Sequence, residues 1–205
     1  MFRFPAVLAL ASLFAGTSAL LADPIPYDHA GTVAATSILT AASTGNITGY
    51  FVFSSAAATD YVRLIDLTSG YTSDYFFNNH TTAAGASQDF GHVTLGDTLI
   101  FELYNQANDQ TFSTDPSRSD DGVNHGYVTS FAGGWLGETN VPAGLYLGME
   151  DLSTASNDSD LDYNDSTFVV TNVAVAHAPE PGSLMLLGTG ILGVVGTLRR
   201  RMFSR

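Results

Sequence analysis

The sequence contains no cysteine and no lysine; its seven basic residues are all arginines, set against 20 acids. Without cysteine there is no disulfide scaffold, no thiol nucleophile and no Cys-ligated zinc or iron–sulfur site. Arginine is scarce where a basic surface would need it. Arg3 stands at the start and Arg199, Arg200, Arg201 and Arg205 at the end, which leaves Arg63 and Arg118 alone between residues 23 and 178. The same stretch holds 19 acids, for a formal charge of −17. A surface this acidic repels phosphate backbones and excludes nucleic acid as a partner. The marks of familiar hydrolases are missing too: there is no G-x-S-x-G elbow and no H-E-x-x-H helix. Glu102, Glu138 and Glu150 are the only glutamates between residues 23 and 178, and nothing in the sequence pairs them across a cleft as a glycosidase requires. The expectation is a protein that is not an enzyme.

What is present falls into three parts. Residues 1–22 read as a secretory signal peptide: Arg3, an apolar run from Ala6 to Phe14, and small residues from Ala15 to Ala19, with cleavage after Ala19 or after Ala22. The apolar run is too short for a membrane anchor. Residues 23–178 are long enough for one domain with a core of its own. In residues 179–205, Pro179-Glu180-Pro181 breaks any preceding regular structure, because two prolines fix φ and remove backbone donors. An uncharged stretch from Gly182 to Leu198 follows, then Arg199-Arg200-Arg201. As a helix that stretch would span about 26 Å, a little short of the hydrocarbon core of a bilayer, so a short transmembrane helix is expected over 182–198. Its arginines stay in the cytoplasm, on the same side as Arg3, and the acidic body lies outside.

Pro179-Glu180-Pro181, the glycine-bearing apolar stretch and the arginine cluster, in that order at the end of the chain, resemble the PEP-CTERM sorting signal of Gram-negative bacteria. The resemblance implies recognition by an exosortase, an intramembrane cysteine protease that removes the tail near the Pro-Glu-Pro motif. It also implies export across the inner membrane, anchoring through the C-terminal helix before processing, and a final place at the cell surface or in an exopolysaccharide matrix. Gly188, Gly190 and Gly193 spell G-x-G-x-x-G, but no βαβ unit surrounds them and the match is chance. A GPI signal also ends in an apolar tail, yet a terminal arginine cluster is foreign to it.

In the body, helical periodicity is scarce and period-two alternation recurs. Thr48 to Phe53, Tyr61 to Leu67 and Phe168 to Val175 are rich in aromatic and β-branched residues. His92 to Leu95 and Thr98 to Tyr104 flank Gly96-Asp97, which reads as a hairpin turn. Leu145, Leu147 and Met149 alternate with Tyr146, Gly148 and Glu150, as in a half-buried strand. Loops rich in Gly, Asn, Asp, Ser and Thr separate these runs. The expected fold is all-β, an antiparallel, jelly-roll-like β-sandwich.

The chemistry concentrates between Glu150 and Asp165. Glu150, Asp151, Asp158, Asp160, Asp162 and Asp165 repel one another unless a cation or water screens them. Alternating Asp158, Asp160 and Asp162, with Asn164, can bring several oxygens around one point, which suits a hard cation with six to eight oxygen ligands; outside the cell calcium is the natural one. The loop is not an EF-hand, since Tyr163 and Val169 stand where its glycine and bidentate glutamate belong. The competing reading is a solvated acidic loop whose Asp and Asn side chains cap turns.

A second resemblance bears on this choice. Asp115-Pro116, Asp121-Gly122-x-x-His125, Gly148-Met149-Glu150-Asp151-Leu152 and Asp160-x-Asp162-Tyr163-Asn164-Asp165, followed by Phe168, resemble an uncharacterised β-domain of bacterial surface proteins over residues 99–175. It implies a calcium-binding surface module whose acidic cluster falls on Glu150, Asp151, Asp160, Asp162, Asn164 and Asp165, with Asp121 and His125 as neighbours. The chain departs from that pattern at Met149, where an aromatic is usual, and in a linker, Ser153 to Ser159, that is poorer in glycine. His125 is a poor calcium ligand and reads as a hydrogen-bonding partner of a carboxylate. Trp135, with Phe131 and Tyr146 nearby, reads first as buried core and second as a platform on which a carbohydrate-binding module would stack a sugar.

Overall fold

The computed structural model describes residues 25–156 and 158–176. The signal peptide over 1–22, the tail from Pro179 onward and the helix expected over 182–198 lie outside the described residues. The body is all-β, as expected, with every strand pairing antiparallel and one 3-10 turn at Pro116–Arg118.

One sheet holds β1 (Leu39–Ala41), β3 (Asp60–Asp66), β5 (Thr98–Asn105), β6 (Gln110–Ser113) and β12 (Val173–Val175). Its order is β12-β1-β5-β3, and β6 joins β5 beyond β1, against residues 102–105. The other sheet runs β4 (Ser87–Val93), β2 (Gly45–Phe53), β11 (Ser166–Val170), β10 (Gly144–Met149) and β7 (Gly126–Phe131). A separate ribbon pairs β8 (Gly134–Leu136) with β9 (Thr139–Val141). Inward residues of both large sheets meet in one cluster: Val62, Leu64, Phe101 and Leu103 from the first, and Phe51, Phe90, Leu147 and Phe168 from the second. The rings of Phe90 and Phe168 lie 5.8 Å and 5.5 Å from that of Phe101, in the edge-on and tilted geometries aromatic pairs favour.

Three local expectations change. The residues flanking Gly96-Asp97 form no hairpin, because β4 and β5 belong to different sheets. The turn instead carries the chain from one sheet to the other. Gly96 sits at φ 85°, the Asp97 carboxylate accepts from Thr94 N–H at 2.7 Å, and Ala41 of β1 exchanges backbone hydrogen bonds with both turn residues. The run Phe168 to Val175 is two strands, divided at Asn172 with φ 61°, so that β11 and β12 also lie in different sheets. Nor is β10 half-buried. Tyr146 is only 2% exposed, because Leu136 and Val141 of the β8–β9 ribbon fold over the outer side and pack with Val52, Tyr146 and Val169. A strand covered on both faces loses the alternation that marks a solvent-facing one.

Candidate metal centre

The antiparallel pair β10–β11 ends at Met149 opposite Ser166. Glu150-Asp151 therefore leaves the sheet at the edge where the loop of Asp160 to Asp165 enters it. Gly148 lets the loop lie against β10, since a Cβ there would run into the Tyr163 carbonyl oxygen. Leu161 and Tyr163 both take left-handed backbone, at φ 52° and 59°. Side-chain anchors hold that uncommon conformation in place: the Tyr163 hydroxyl accepts from Ala34 N–H at 2.7 Å and donates to the Asn124 carbonyl at 3.1 Å. Tyrosine here occupies the positive-φ position that an EF-hand loop gives to glycine.

Ligand oxygens of Glu150, Asp160 and Asp162 lie within 4.8 Å of one another. Glu150 is 1% exposed, and its Oε1 accepts from Tyr163 N–H at 2.6 Å. Asp160 is exposed and Asp162 half-buried. Burial, together with the charges of Asp160, Asp162 and Asp151, pushes the Glu150 carboxyl up to about 7, against the pull of the Tyr163 N–H. Burial raises Asp162 as well, with Asp160 adding to it. Two carboxylates raised by burial, with that of Asp160 beside them, form a site that a divalent cation would stabilise.

The remaining residues expected in the site take other positions. Asp158 is exposed and outside this group. The Asn164 side chain donates to Asp162, while its backbone carbonyl accepts from Ser55 N–H at 3.1 Å. Asp151 turns inward and is buried; its N–H donates to Asp165 Oδ2 at 3.0 Å, and the Asn105 amide donates to its carbonyl at 2.9 Å.

Asp121 and His125 clamp the start of the same loop. Asp121 Oδ2 accepts from the Thr154 N–H at 2.8 Å and the Thr154 hydroxyl at 3.0 Å, and His125 Nε2 lies 3.0 Å from its Oδ1. Burial would raise Asp121, but the Thr154 N–H, His125 and the Val123 N–H outweigh it and hold the carboxyl down at about 2. Burial lowers His125 in spite of Asp121. The buried ring stacks on Phe112 at 4.3 Å, and its backbone carbonyl accepts from Glu150 N–H at 3.1 Å. His125 thus ties β6 to the first residue of the carboxylate group.

The residue absent from the sequence reading is Asp60, the first of β3 and fully buried beside Asp151. A signal for it existed, since strict alternation puts Asp60 on the inward face with Val62 and Leu64. Trp135 departs from the expectation of a core residue: it is 62% exposed on the β8–β9 ribbon, while Tyr146 is buried beneath that ribbon.

The body ends in a hydrogen bond from Ala176 N–H to the Ile38 carbonyl at 2.7 Å. Directly after it, residues 177–201 match the PEP-CTERM protein-sorting motif. The chain carries a PEP-CTERM sorting signal. PEP-CTERM signals are recognised by exosortase, a membrane enzyme, and the match implies export, exosortase sorting and membrane anchoring before processing, as in Gram-negative bacteria. The matched segment contains Pro179, Glu180, Pro181, Arg199, Arg200 and Arg201. Among the described residues no helix is long and apolar enough to cross a membrane. No curated protein matches the sequence of this PEP-CTERM protein.

Proposed function

We propose that the chain is a non-enzymatic protein of the cell surface or exopolysaccharide matrix, whose β-sandwich body is stabilised by calcium at Glu150, Asp160 and Asp162. The observation that carries this reading is the approach of those three carboxylates within 4.8 Å, with Glu150 buried among them. An all-oxygen donor set on a loop suits calcium, which accepts irregular geometry and completes its shell with water. The sandwich reading rests on the single cluster shared by the two large sheets. With no disulfide available outside the cell, a bound cation would serve as the staple and offset part of the −17 charge. The tail would anchor the body through a helix over 182–198 until the exosortase acts.

The test is a thermal melt of the full chain in detergent, with millimolar calcium, with equal magnesium, and with chelator. Calcium at about 100 times its dissociation constant adds roughly 2.7 kcal/mol. A calcium-specific rise that disappears in Asp160→Ala and Asp162→Ala supports the reading; superimposable melts sink it.

Exposed Trp135 favours a second reading, a carbohydrate-binding module that retains exopolysaccharide. An indole presented to solvent offers a face for sugar stacking. Loss of polysaccharide retention in Trp135→Ala, with folding intact, would select this reading.

A further inference from the structure

Asp60 is 0% exposed, and neither of its carboxylate oxygens has a hydrogen-bond partner. Its backbone is satisfied: Asp60 N–H donates to Asn79 Oδ1 at 2.8 Å, and Asn79 N–H donates to the Asp60 carbonyl at 3.3 Å. Only the side chain lacks a donor, and it lies against the Asp151 carboxyl with Asp165 nearby. Asp60 stands opposite Asn105 at the end of the β3–β5 pair, in the first sheet. Asp151 and half-buried Asp165 come from the end of the β10–β11 pair, in the second. The Asn105 amide joins the two ends by donating to the Asp151 carbonyl at 2.9 Å and to its Oδ2 at 3.4 Å. No cationic side chain enters. Among the described residues the ion pairs are Arg63–Glu102 and His125–Asp121, so none involves these three acids.

Burial raises the Asp60 carboxyl, with Asp151 and then Asp165 adding to it; burial and neighbouring acids raise Asp165 too. A carboxylate removed from water and left without a donor is a costly element to retain unless something positive sits beside it.

We propose that Asp60, Asp151 and Asp165 hold a divalent cation of their own, a hard, oxygen-ligated ion of the calcium class, where the ends of the two sheets meet. Both Asp60 oxygens are free to ligate and the Asp151 side chain lies against them, while Asp165 retains Oδ1 and its Oδ2 accepts from the Asp151 N–H; binding would draw the three carboxylates together around the ion. Magnesium fits less well, because it gives up its water reluctantly and this position is enclosed. The site is separate from the loop group of Glu150, Asp160 and Asp162, and it stands on a different observation, the unpartnered Asp60 side chain. Its structural consequence is also different. An ion here would join the first sheet to the second, whereas the loop ion holds residues that follow one another in the chain.

The experiment counts calcium bound to the full chain in detergent, by calorimetric titration after chelator has been removed. Wild type is expected to bind two ions, Asp60→Asn one, and the double variant Asp160→Ala/Asp162→Ala one. Asp60→Asn taking up as much calcium as wild type overturns the proposal, and shows that Asp60 and Asp151 merely share a proton. A double variant that still binds two ions sinks the loop site and leaves this one standing. Should Asp60→Asn fail to fold, terbium luminescence lifetimes on wild type decide in light and heavy water. An enclosed ion with about one bound water or none supports the inference, and a single class of well-hydrated ion overturns it.

Discussion

The Tyr163 N–H donates to Glu150 Oε1 at 2.6 Å while the hydroxyl of the same residue bridges Ala34 and Asn124. One buried tyrosine thereby holds the acidic loop at both ends: its backbone fixes the innermost carboxylate and its ring tip fastens the loop to two distant parts of the chain.

Tyr163→Phe keeps the ring and removes the hydroxyl. The Ala34 N–H and the Asn124 carbonyl then lose a buried partner, a cost of about 1–3 kcal/mol. For a body of this size that lowers the melting midpoint by roughly 2–4 °C per kcal/mol. An unchanged midpoint would show that water replaces the hydroxyl.

In chelator, stability should fall as pH rises. Glu150 has a folded value of about 7 against an ordinary value of 4.5, so its contribution is complete below about pH 4.5 and is lost as pH climbs through 7. Asp60 and Asp165, also raised by burial, extend the loss upward. Buried His125, whose value is lowered, works the other way up to about pH 6.5, so the decline is steepest above that point. Calcium should flatten the curve by giving the ionised carboxylates a partner. Melts from about pH 5 to 8, with and without calcium, check the sign; metal-free stability that increases across this range contradicts it.

Gly148→Ala places a methyl group against the Tyr163 carbonyl and forces the loop off β10. Overpacking of this kind costs about 1–3 kcal/mol. Calcium affinity should drop along with stability, because Glu150 and the loop acids no longer share one position. Gly70→Ala, which meets no atom but sits at φ 79°, is the control: it carries backbone strain at a turn that makes no contact with the loop.

Trp135→Ala should leave the melting curve within about 0.5 kcal/mol of wild type, since the side chain is largely in solvent. Leu136→Ala, one residue away and buried beneath the ribbon, should cost about 2–5 kcal/mol. Comparable losses in the two variants would mean that the indole packs against the body.

The class of fold was legible because aromatic and β-branched runs such as Thr48 to Phe53 alternate in hydrophobicity, a local property. The pairing of strands was not. Gly96-Asp97 has the chemistry of a tight turn, and only the long-range partners of β4 and β5 decide that it crosses between sheets. The acidic loop was visible as a crowd of like charges, yet spacing alone did not separate Asp158, left in solvent, from Asp160 and Asp162. Asp60 was hidden for a related reason. It lies far from the loop in sequence, and only the meeting of the two sheet ends brings it to Asp151. The PEP-CTERM tail was readable throughout, since its recognition depends on the order of short segments rather than on packing.

The last strand, β12, pairs with β1, the first, and Ser43 bonds Asn172 across a separation of 129 residues. A chain delivered from its N-terminus supplies β1 long before β12. The first sheet therefore waits unfinished, with the β12-facing side of β1 unpaired, until almost the whole body has emerged. Asp60 waits likewise for Asp151 and Asp165. Completion of the domain coincides with arrival of the PEP-CTERM segment that follows Ala176. Chain order thus places the strand that completes the first sheet immediately ahead of the sorting motif.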